Sequence, residues 1–304
     1  MLIPSYMKNK ILIFGATGML GQRCYEYFAK KLGYTTLLSS FEDSFYDTSA
    51  QYIPVDITKR DQVKKIIAEF SPDYIINAAA FTNVDKSESE REMAWNINVK
   101  AVEYMAEGAR NCDSHLIHIS SDYIFDGVKG QYTENDKPNP VGYYGRTKLA
   151  GENALKISNA LHTILRTNVL YGVIKTGRLD FVRWVVESIR KGEQIRIVTD
   201  QINNPTFLDD LVRAIGQVIE FGKYGIYNIG GEEFISRYDF TMRICDFFGL
   251  NKSQVTAILT PELNQPAKRP LNSGLVTLKA ETEFGYSPTP IEETFRFMKE
   301  ELDL

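Results

Sequence analysis

Along the first half of the chain, short apolar runs alternate with longer stretches whose apolar positions recur at helical spacing. The runs ILIFGA (11–16), TTLLSS (35–40), YIINAAA (74–80), HLIHISS (115–121) and TILRTNVLYG (163–172) read as strands buried on both faces of a parallel sheet. Between them, MLGQRCYEYFAKKL places Leu20, Cys24, Tyr27 and Phe28 on one helical face. RDQVKKIIAEF follows Thr58 as an N-cap and stops before Ser71-Pro72. Strand and helix in repetition predict an α/β fold, a doubly wound parallel sheet of the Rossmann type.

The second half is more mixed. Helices are expected at about 178–191, 207–221, 236–248 and 290–302, with short strands at QIRIV (194–198) and GIYNIGG (225–231). The proline-containing stretch LTPELNQPAKRPLNSGL (259–275) reads as a loop that orders on binding or walls a cleft. No internal repeat or low-complexity linker interrupts the chain. A smaller, mixed C-terminal lobe over the edge of the sheet is the simplest arrangement.

Composition narrows the class. A chain of 304 residues, 43% hydrophobic and 24% charged, is an ordinary globular protein. A formal charge of -4 with no basic run argues against nucleic acid as a partner. Three scattered cysteines, Cys24, Cys112 and Cys245, form no Cys-x-x-Cys, so a reducing compartment and no zinc site are expected. His115 and His118 lie three apart in a strand, point to opposite faces and read as structural. The N-terminal MLIPSYMKNK is too short and polar for a signal peptide and reads as a frayed lead-in. No apolar run approaches a membrane span, and a cytoplasmic protein is expected.

Ligands of open α/β sheets bind beyond the carboxyl ends of the strands, so the residues just after each strand carry the candidate chemistry. The first strand runs into GATGMLGQ, where Gly15, Gly18 and Gly21 alternate with Thr17, Met19 and Leu20 and open a helix. Such glycines allow a tight turn, approach of a pyrophosphate, and close packing of helix on strand. After the second strand stand Ser39 and Ser40, with Glu42 and Asp43 slightly later. Hydroxyls there accommodate a 2′-phosphate, which favours NADP over NAD, although no arginine stands beside them. Asp56, next to Ile57 in PVDIT, is either a partner for an adenine amino group or a turn-forming aspartate. Asn77 ends a strand, and the small Ala78 and Ala79 after it let a cofactor lie close to the backbone.

SSDYIFDG (120–127) then brings Ser121 and Asp122 to the next strand end, where a polar turn is the bland alternative. About twenty residues later, Tyr144 and Lys148 share a helical face. The Tyr-x-x-x-Lys spacing occurs four times (Tyr6/Lys10, Tyr27/Lys31, Tyr144/Lys148, Tyr171/Lys175), so spacing alone does not select a pair. Order along the chain does. Only Tyr144 and Lys148 follow a phosphate loop and a strand-end hydroxyl and stand on a helix before the next strand.

With those residues in place, the chain resembles the extended short-chain dehydrogenase/reductase superfamily, and within it the dTDP-4-dehydrorhamnose reductase family. The resemblance runs through GATGMLGQ, VDIT, PDYIINAAAFTNVDKSE, NINVKAVEYMAEGAR, ISSDYIFDG, YGRTKLAGE, LRTNVLYG, DQINNPT and RPLNSGL. It implies NAD(P)H-dependent reduction of the C4 ketone of a nucleotide sugar. Ser121 would orient the ketone, Tyr144 would be the acid, and Lys148 would touch the nicotinamide ribose and draw the phenol down from its usual value of about 10. Asn98 would support the lysine region, and Thr82, Asp122, Tyr123 and Arg269 would lie near the sugar. The resemblance also returns IYNIGG to the cofactor domain, giving a Rossmann domain of 8–172 plus 205–230 and a substrate lobe of 173–204 plus 231–304.

Three positions depart from the family: Val169 stands where an aromatic residue, usually Trp, is common, Asn203 where glycine is frequent, and Gly274 where arginine is common. Some family members form metal-bridged dimers, so a homodimer is a further expectation; no spacing here places a metal. Two kinds of alternative remain, another enzyme on the same scaffold and a non-catalytic subunit. A nucleotide-sugar dehydratase would carry an Asp-Glu pair, whereas Asp122 is followed by Tyr123, and an epimerase would lack DYIFDG. A non-catalytic subunit, like the regulatory subunit of methionine adenosyltransferase, would keep the cofactor site without turnover.

Overall fold

In the computed structural model, which describes residues 9–302, seven strands form one parallel sheet. In chain order they are β1 (Asn9–Phe14), β2 (Tyr34–Ser40), β3 (Tyr52–Pro54), β4 (Tyr74–Asn77), β5 (His115–Ser121), β6 (His162–Thr167) and β7 (Gly225–Asn228). Their order across the sheet is β7-β6-β5-β4-β1-β2-β3, so the direction of winding reverses beside β1. That reversal opens the crevice in which such sheets bind ligands. The expectations for the first eight residues, Tyr6 of the Tyr6/Lys10 pair among them, lie outside the described residues.

The sheet's apolar runs divide by parity. Ile11 and Ile13 of β1 pack with α1 (Met19–Ala29) and α6 (Leu208–Glu220) in one core. Leu12 and Phe14 pack with α2 (Arg60–Phe70) and α3 (Ala101–Asn111) in the other. Burial on both faces is the reason for the uninterrupted runs. α4 (Tyr143–Ile157) adds Leu155 to the second core. A third core joins α5 (Phe181–Arg190), α7 (Arg237–Phe248) and α9 (Ile291–Leu302), while α8 (Leu278–Phe284) returns Ala280 and Phe284 to the first. Short strand pairs join Leu170–Tyr171 to Thr206–Phe207, Ile195–Val198 to Val255–Ile258, and Ile202–Asn203 to Ile235–Ser236. Among the described residues no helix is long and apolar enough to cross a membrane.

Several expectations shift. The run 163–172 is not one strand: β6 stops at Thr167, and Leu170–Tyr171 pairs elsewhere. Asn168 turns the chain there, bonding Asn204 Oδ1 at 2.7 Å and accepting from Thr206 Oγ1 at 2.8 Å. Thr58 does not cap α2. Lys59 holds that position, and the Thr58 hydroxyl donates instead to Asp56 Oδ1 at 2.6 Å. β7 does lie beside β6 in the main sheet. His115 and His118 are buried, bonded to Thr163 and Asn77 respectively.

Candidate active site

The glycines of the first loop serve three different needs. Gly15 has φ +78°, and a Cβ there would stand 2.6 Å from Ala79 N and 2.8 Å from the Ala78 carbonyl carbon. It therefore locks the loop against the end of β4. A Cβ on Gly21 would lie 2.2 Å from Gly15 O, so this glycine lets α1 close onto the turn. Gly18 is exposed and meets only Gly15 O, at 3.3 Å. It occupies the N-cap of α1 without a side-chain cap. The first N–H groups of the helix, at Met19, Leu20 and Gly21, thus face outward beside an open backbone, which suits a pyrophosphate. Gln22, buried, ties this loop to residues 175–176 through Thr176 O and the Lys175 and Thr176 N–H groups.

At the end of β2, Ser39 and Ser40 part ways. The Ser39 carbonyl accepts from Gly15 N and Ala16 N, while its hydroxyl is fully buried and unpartnered. Ser40 Oγ accepts from Thr17 N at 3.1 Å, and Thr17 Oγ1 donates to Glu42 Oε2 at 2.7 Å. Asp56 Oδ1 accepts from both the N–H and the hydroxyl of Thr58, so that oxygen serves the turn, and Ile57 packs against the second core. Asn77 bonds His118 and accepts from Ala79 N at 3.2 Å, holding the small-residue strand end in shape.

Next to it, β5 ends on Ser121. Its Oγ donates to Asp122 Oδ1 at 3.0 Å and accepts from Tyr123 N at 3.2 Å. Asp122 is also bonded by Ser273 Oγ at 2.5 Å. Burial holds its carboxyl up at about 6 against the pull of Ser273, Ser121 and Arg237. Tyr144, on the first turn of α4, presents its ring edge-on to Tyr123, with centroids 5.5 Å apart. Burial pushes its phenol up, the neighbouring Ser121 hydroxyl draws it partly back, and Asp122 and Tyr123 raise it again. Tyr143 is half-exposed with Arg91 over its ring at 5.1 Å.

Lys148 is buried, and its Nζ donates to the Ile119 carbonyl at 2.7 Å. Loss of water brings the ammonium down to about 8, with Glu152 opposing. The expectation that Lys148 lowers the Tyr144 phenol is not met in this arrangement. One of the ammonium's three donors goes to β5, and burial keeps the Tyr144 phenol protonated. Asn98 braces the same helix, donating to Thr147 Oγ1 at 2.9 Å while pairing both ways with the Phe81 backbone. It sits in a π-helical turn, Asn96–Lys100, whose extra residue sets this reach.

On the sugar side, Thr82 is exposed on the loop after β4. Arg269 is engaged already: its fork pairs with both oxygens of Asp85 at 2.7 Å, pinning the 259–275 segment over that loop. That segment is an ordered wall. Val169 and Asn203 line a small hollow with Phe181, Pro205, Ile235, Phe240 and Arg237. Arg237 was not singled out by sequence. Its guanidinium lies over the Phe181 ring at 5.3 Å and acts on both Asp122 and Tyr123. Gly274 is packed under Phe234, 2.2 Å from where its Cβ would be, so the ring fills the space a longer side chain would need.

The glycine loop and Ser121 thus lie at the carboxyl ends of β1 and β5, on either side of β4, with the Tyr144/Lys148 helix bonded to β5. The family model for the RmlD substrate binding domain matches residues 8–303. The chain belongs to the dTDP-4-dehydrorhamnose reductase family. A relative of that name from Aggregatibacter actinomycetemcomitans is 35% identical over 292 residues, 92% of this chain and 95% of its own. The crystal structure of a dTDP-4-dehydrorhamnose reductase from Clostridium acetobutylicum superposes with a TM-score of 0.88 at 32% identity, covering 97% of this chain and all of that one. The Bacillus anthracis reductase in complex with NADP gives 0.82 at 30%, with the same coverage. Methionine adenosyltransferase 2 subunit beta of Mus musculus is also similar, at 31% over 287 residues, 92% of this chain and 83% of its own. Membership makes the chain an NAD(P)H-dependent reductase of the nucleotide-sugar type, with a nicotinamide dinucleotide as cofactor.

Proposed function

We propose that the protein reduces the C4 ketone of a nucleotide-activated 4-keto-6-deoxy sugar, dTDP-4-dehydro-L-rhamnose, to dTDP-L-rhamnose. The observation that carries this reading is a buried, protonated Tyr144 beside Ser121 at the end of β5. A bound reduced nicotinamide supplies the hydride to the ketone carbon. Tyr144 gives its proton to the alkoxide oxygen, and Ser121, turning its hydroxyl away from Asp122, donates a hydrogen bond to that same oxygen. A positioned acid of this kind contributes on the order of 10²–10⁴ in rate. A phenol held in its protonated form by burial suits this direction of the reaction.

Lys148 and Asn98 position the tyrosine's helix and, with Lys148, the nicotinamide ribose. Gly15, Thr17, Gly18, Met19, Leu20 and Gly21 hold the pyrophosphate, with Asn77, Ala78 and Ala79 flooring the crevice and Asp56 and Ile57 at the adenine end. Thr82, Asp122, Tyr123, Val169 and Arg237 face the sugar nucleotide, and Arg269 shapes that wall through Asp85. Residues 8–172 plus 205–230 form the cofactor unit, and 173–204 plus 231–304 the substrate unit, whose α8 packs back into the first core.

The test mixes purified protein with each reduced nicotinamide dinucleotide and dTDP-4-dehydro-L-rhamnose, follows the nicotinamide absorbance, and identifies the product by NMR. Ketone-dependent oxidation with the C4 carbonyl signal replaced by that of a secondary alcohol supports the reading. An isomerised ketone would mean epimerisation. Dinucleotide binding without oxidation, together with a co-purifying enzyme, would move the chain beside methionine adenosyltransferase 2 subunit beta.

A further inference from the structure

The adenosine end of the dinucleotide site carries a charge pattern that bears on which dinucleotide it takes. Glu42 follows the end of β2 and turns back to the glycine loop, where its Oε2 accepts from Thr17 Oγ1 at 2.7 Å. The Glu42 backbone is held as well, since Tyr52 donates its hydroxyl to the Glu42 carbonyl. From Tyr34 to Thr58 the chain has four carboxylates, Glu42, Asp43, Asp47 and Asp56, and no lysine, arginine or histidine. The nearest following arginine, Arg60, has its fork on Glu107 across α3. Burial first, and Glu42 and Asp43 after it, push the Tyr52 phenol up to about 12. The Ser39 hydroxyl, which from sequence was a partner for a 2′-phosphate, lies in the core.

We infer that Glu42 makes this site select NADH over NADPH. The inference rests on the dinucleotide site proposed above. A carboxylate at the end of the second strand accepts hydrogen bonds from the ribose hydroxyls of NAD, whereas a 2′-phosphate needs a cation, usually arginine, at that place. Here the phosphate would meet Glu42 with its charge doubled against it and no cation from residues 34–58 to offset it. Thr17 keeps the carboxylate turned toward the loop, and Ser40 Oγ, which accepts from Thr17 N, offers the phosphate a neutral hydroxyl and no cation. The NADP-bound Bacillus anthracis relative shows that the family fold accepts the phosphorylated dinucleotide. The selection therefore belongs to this chain's own residues rather than to the fold.

The experiment is calorimetric titration of the full chain, without sugar substrate, with NADH and NADPH in parallel, at low and at physiological salt. We expect NADH to bind at least tenfold more tightly at low salt. The NADPH dissociation constant should improve relative to that of NADH as salt screens the repulsion, because Glu42 is exposed. Glu42→Gln, which keeps the shape and removes the charge, should shrink the ratio at least threefold by strengthening NADPH. Equal or tighter NADPH binding by the unsubstituted protein would overturn the inference while leaving the dinucleotide site standing. An undiminished preference for NADH in Glu42→Gln would overturn the assignment to this residue. Binding of neither dinucleotide would bring down the site reading itself, and the inference with it.

Discussion

Lys148 donates to the Ile119 carbonyl at 2.7 Å and so leans on β5 rather than on the tyrosine four residues before it. Its ammonium titrates at about 8, because burial strips its water and only Glu152 opposes the loss of charge. Ketone reduction that relies on this charge falls as the pH rises through about 8. Lys148→Arg, always charged, should lose that limb while running more slowly throughout. Folding responds with the opposite sign. The unfolded lysine holds its proton to about 10.5 and the folded one only to about 8, so between these values the unfolded chain binds more protons and stability rises with pH. Urea titrations at pH 7.5 and 10 should therefore show the difference between wild type and Lys148→Met moving in favour of the wild type at the higher pH.

Tyr144→Phe removes one hydroxyl from a buried ring that otherwise keeps its contact with Tyr123. Turnover should drop at least a hundredfold, the usual scale for a lost general acid, with dinucleotide affinity nearly unchanged. Tyr143→Phe keeps a half-exposed ring beneath Arg91 and should be mild. Single-turnover kinetics of both variants decide which tyrosine is the acid: a collapse in Tyr143→Phe, or normal rates in Tyr144→Phe, would reverse the choice.

How much of this was legible in the chain depended on how local each feature is. Strands β1, β2, β4, β5 and β6 announce themselves because burial on both faces leaves unbroken apolar runs. β3 is three residues at the sheet edge and contains Pro54, so no pattern marks it. The helical path from Lys86 to Lys100 is split into two short helices and a π turn, which erases the period a single helix would show. Asn168 hides a bend inside an apolar run because its partners, Asn204 and Thr206, are far along the chain. The glycine loop and the Tyr144/Lys148 pair were readable from spacing and order. Arg237, Gln22 and the commitment of Arg269 to Asp85 were not, since each is set by tertiary pairing. Glu42 left a signal that was available, the lack of any basic residue from 34 to 58.

Two glycines of one motif should fail in different ways. In Gly21→Ala the new methyl meets backbone, 2.2 Å from Gly15 O and 2.5 Å from Ala16 Cα, so α1 must move off the loop. Overpacking against backbone costs roughly 1–3 kcal/mol or more, and the melting temperature should fall by several degrees. In Gly18→Ala the nearest atom is Gly15 O at 3.3 Å and the other side is open. Melting should stay near wild type, while dinucleotide affinity falls at least tenfold as the methyl enters the space beside the helix N-terminus. Thermal unfolding paired with calorimetric titration separates the two. Gly18→Ala with intact affinity would place the pyrophosphate elsewhere.

The catalytic helix is anchored at its far end by a buried ion pair. Arg166 of β6 forks onto Glu152 of α4, Nε to Oε1 at 2.9 Å and Nη2 to Oε2 at 2.8 Å, and Ser120 Oγ adds a bond to Oε1 at 2.7 Å. Both side chains are almost fully buried, so removing Arg166 leaves Glu152 with only the Ser120 hydroxyl and the more distant Lys156, and removing Glu152 leaves the Arg166 charge with only the Glu134 carbonyl. Arg166→Met should cost about 3–5 kcal/mol, and Glu152→Leu a similar amount. The double variant, with apolar groups replacing both charges, should recover most of that loss. Recovered stability need not bring recovered turnover. Glu152 lies one helical turn beyond Lys148, and its bonds to Ser120 and Arg166 fix α4 against the strand that ends in Ser121. A double variant that melts near wild type yet reduces ketone at least tenfold more slowly would identify the pair as a positioning device. One that regains both would make it a matter of stability alone.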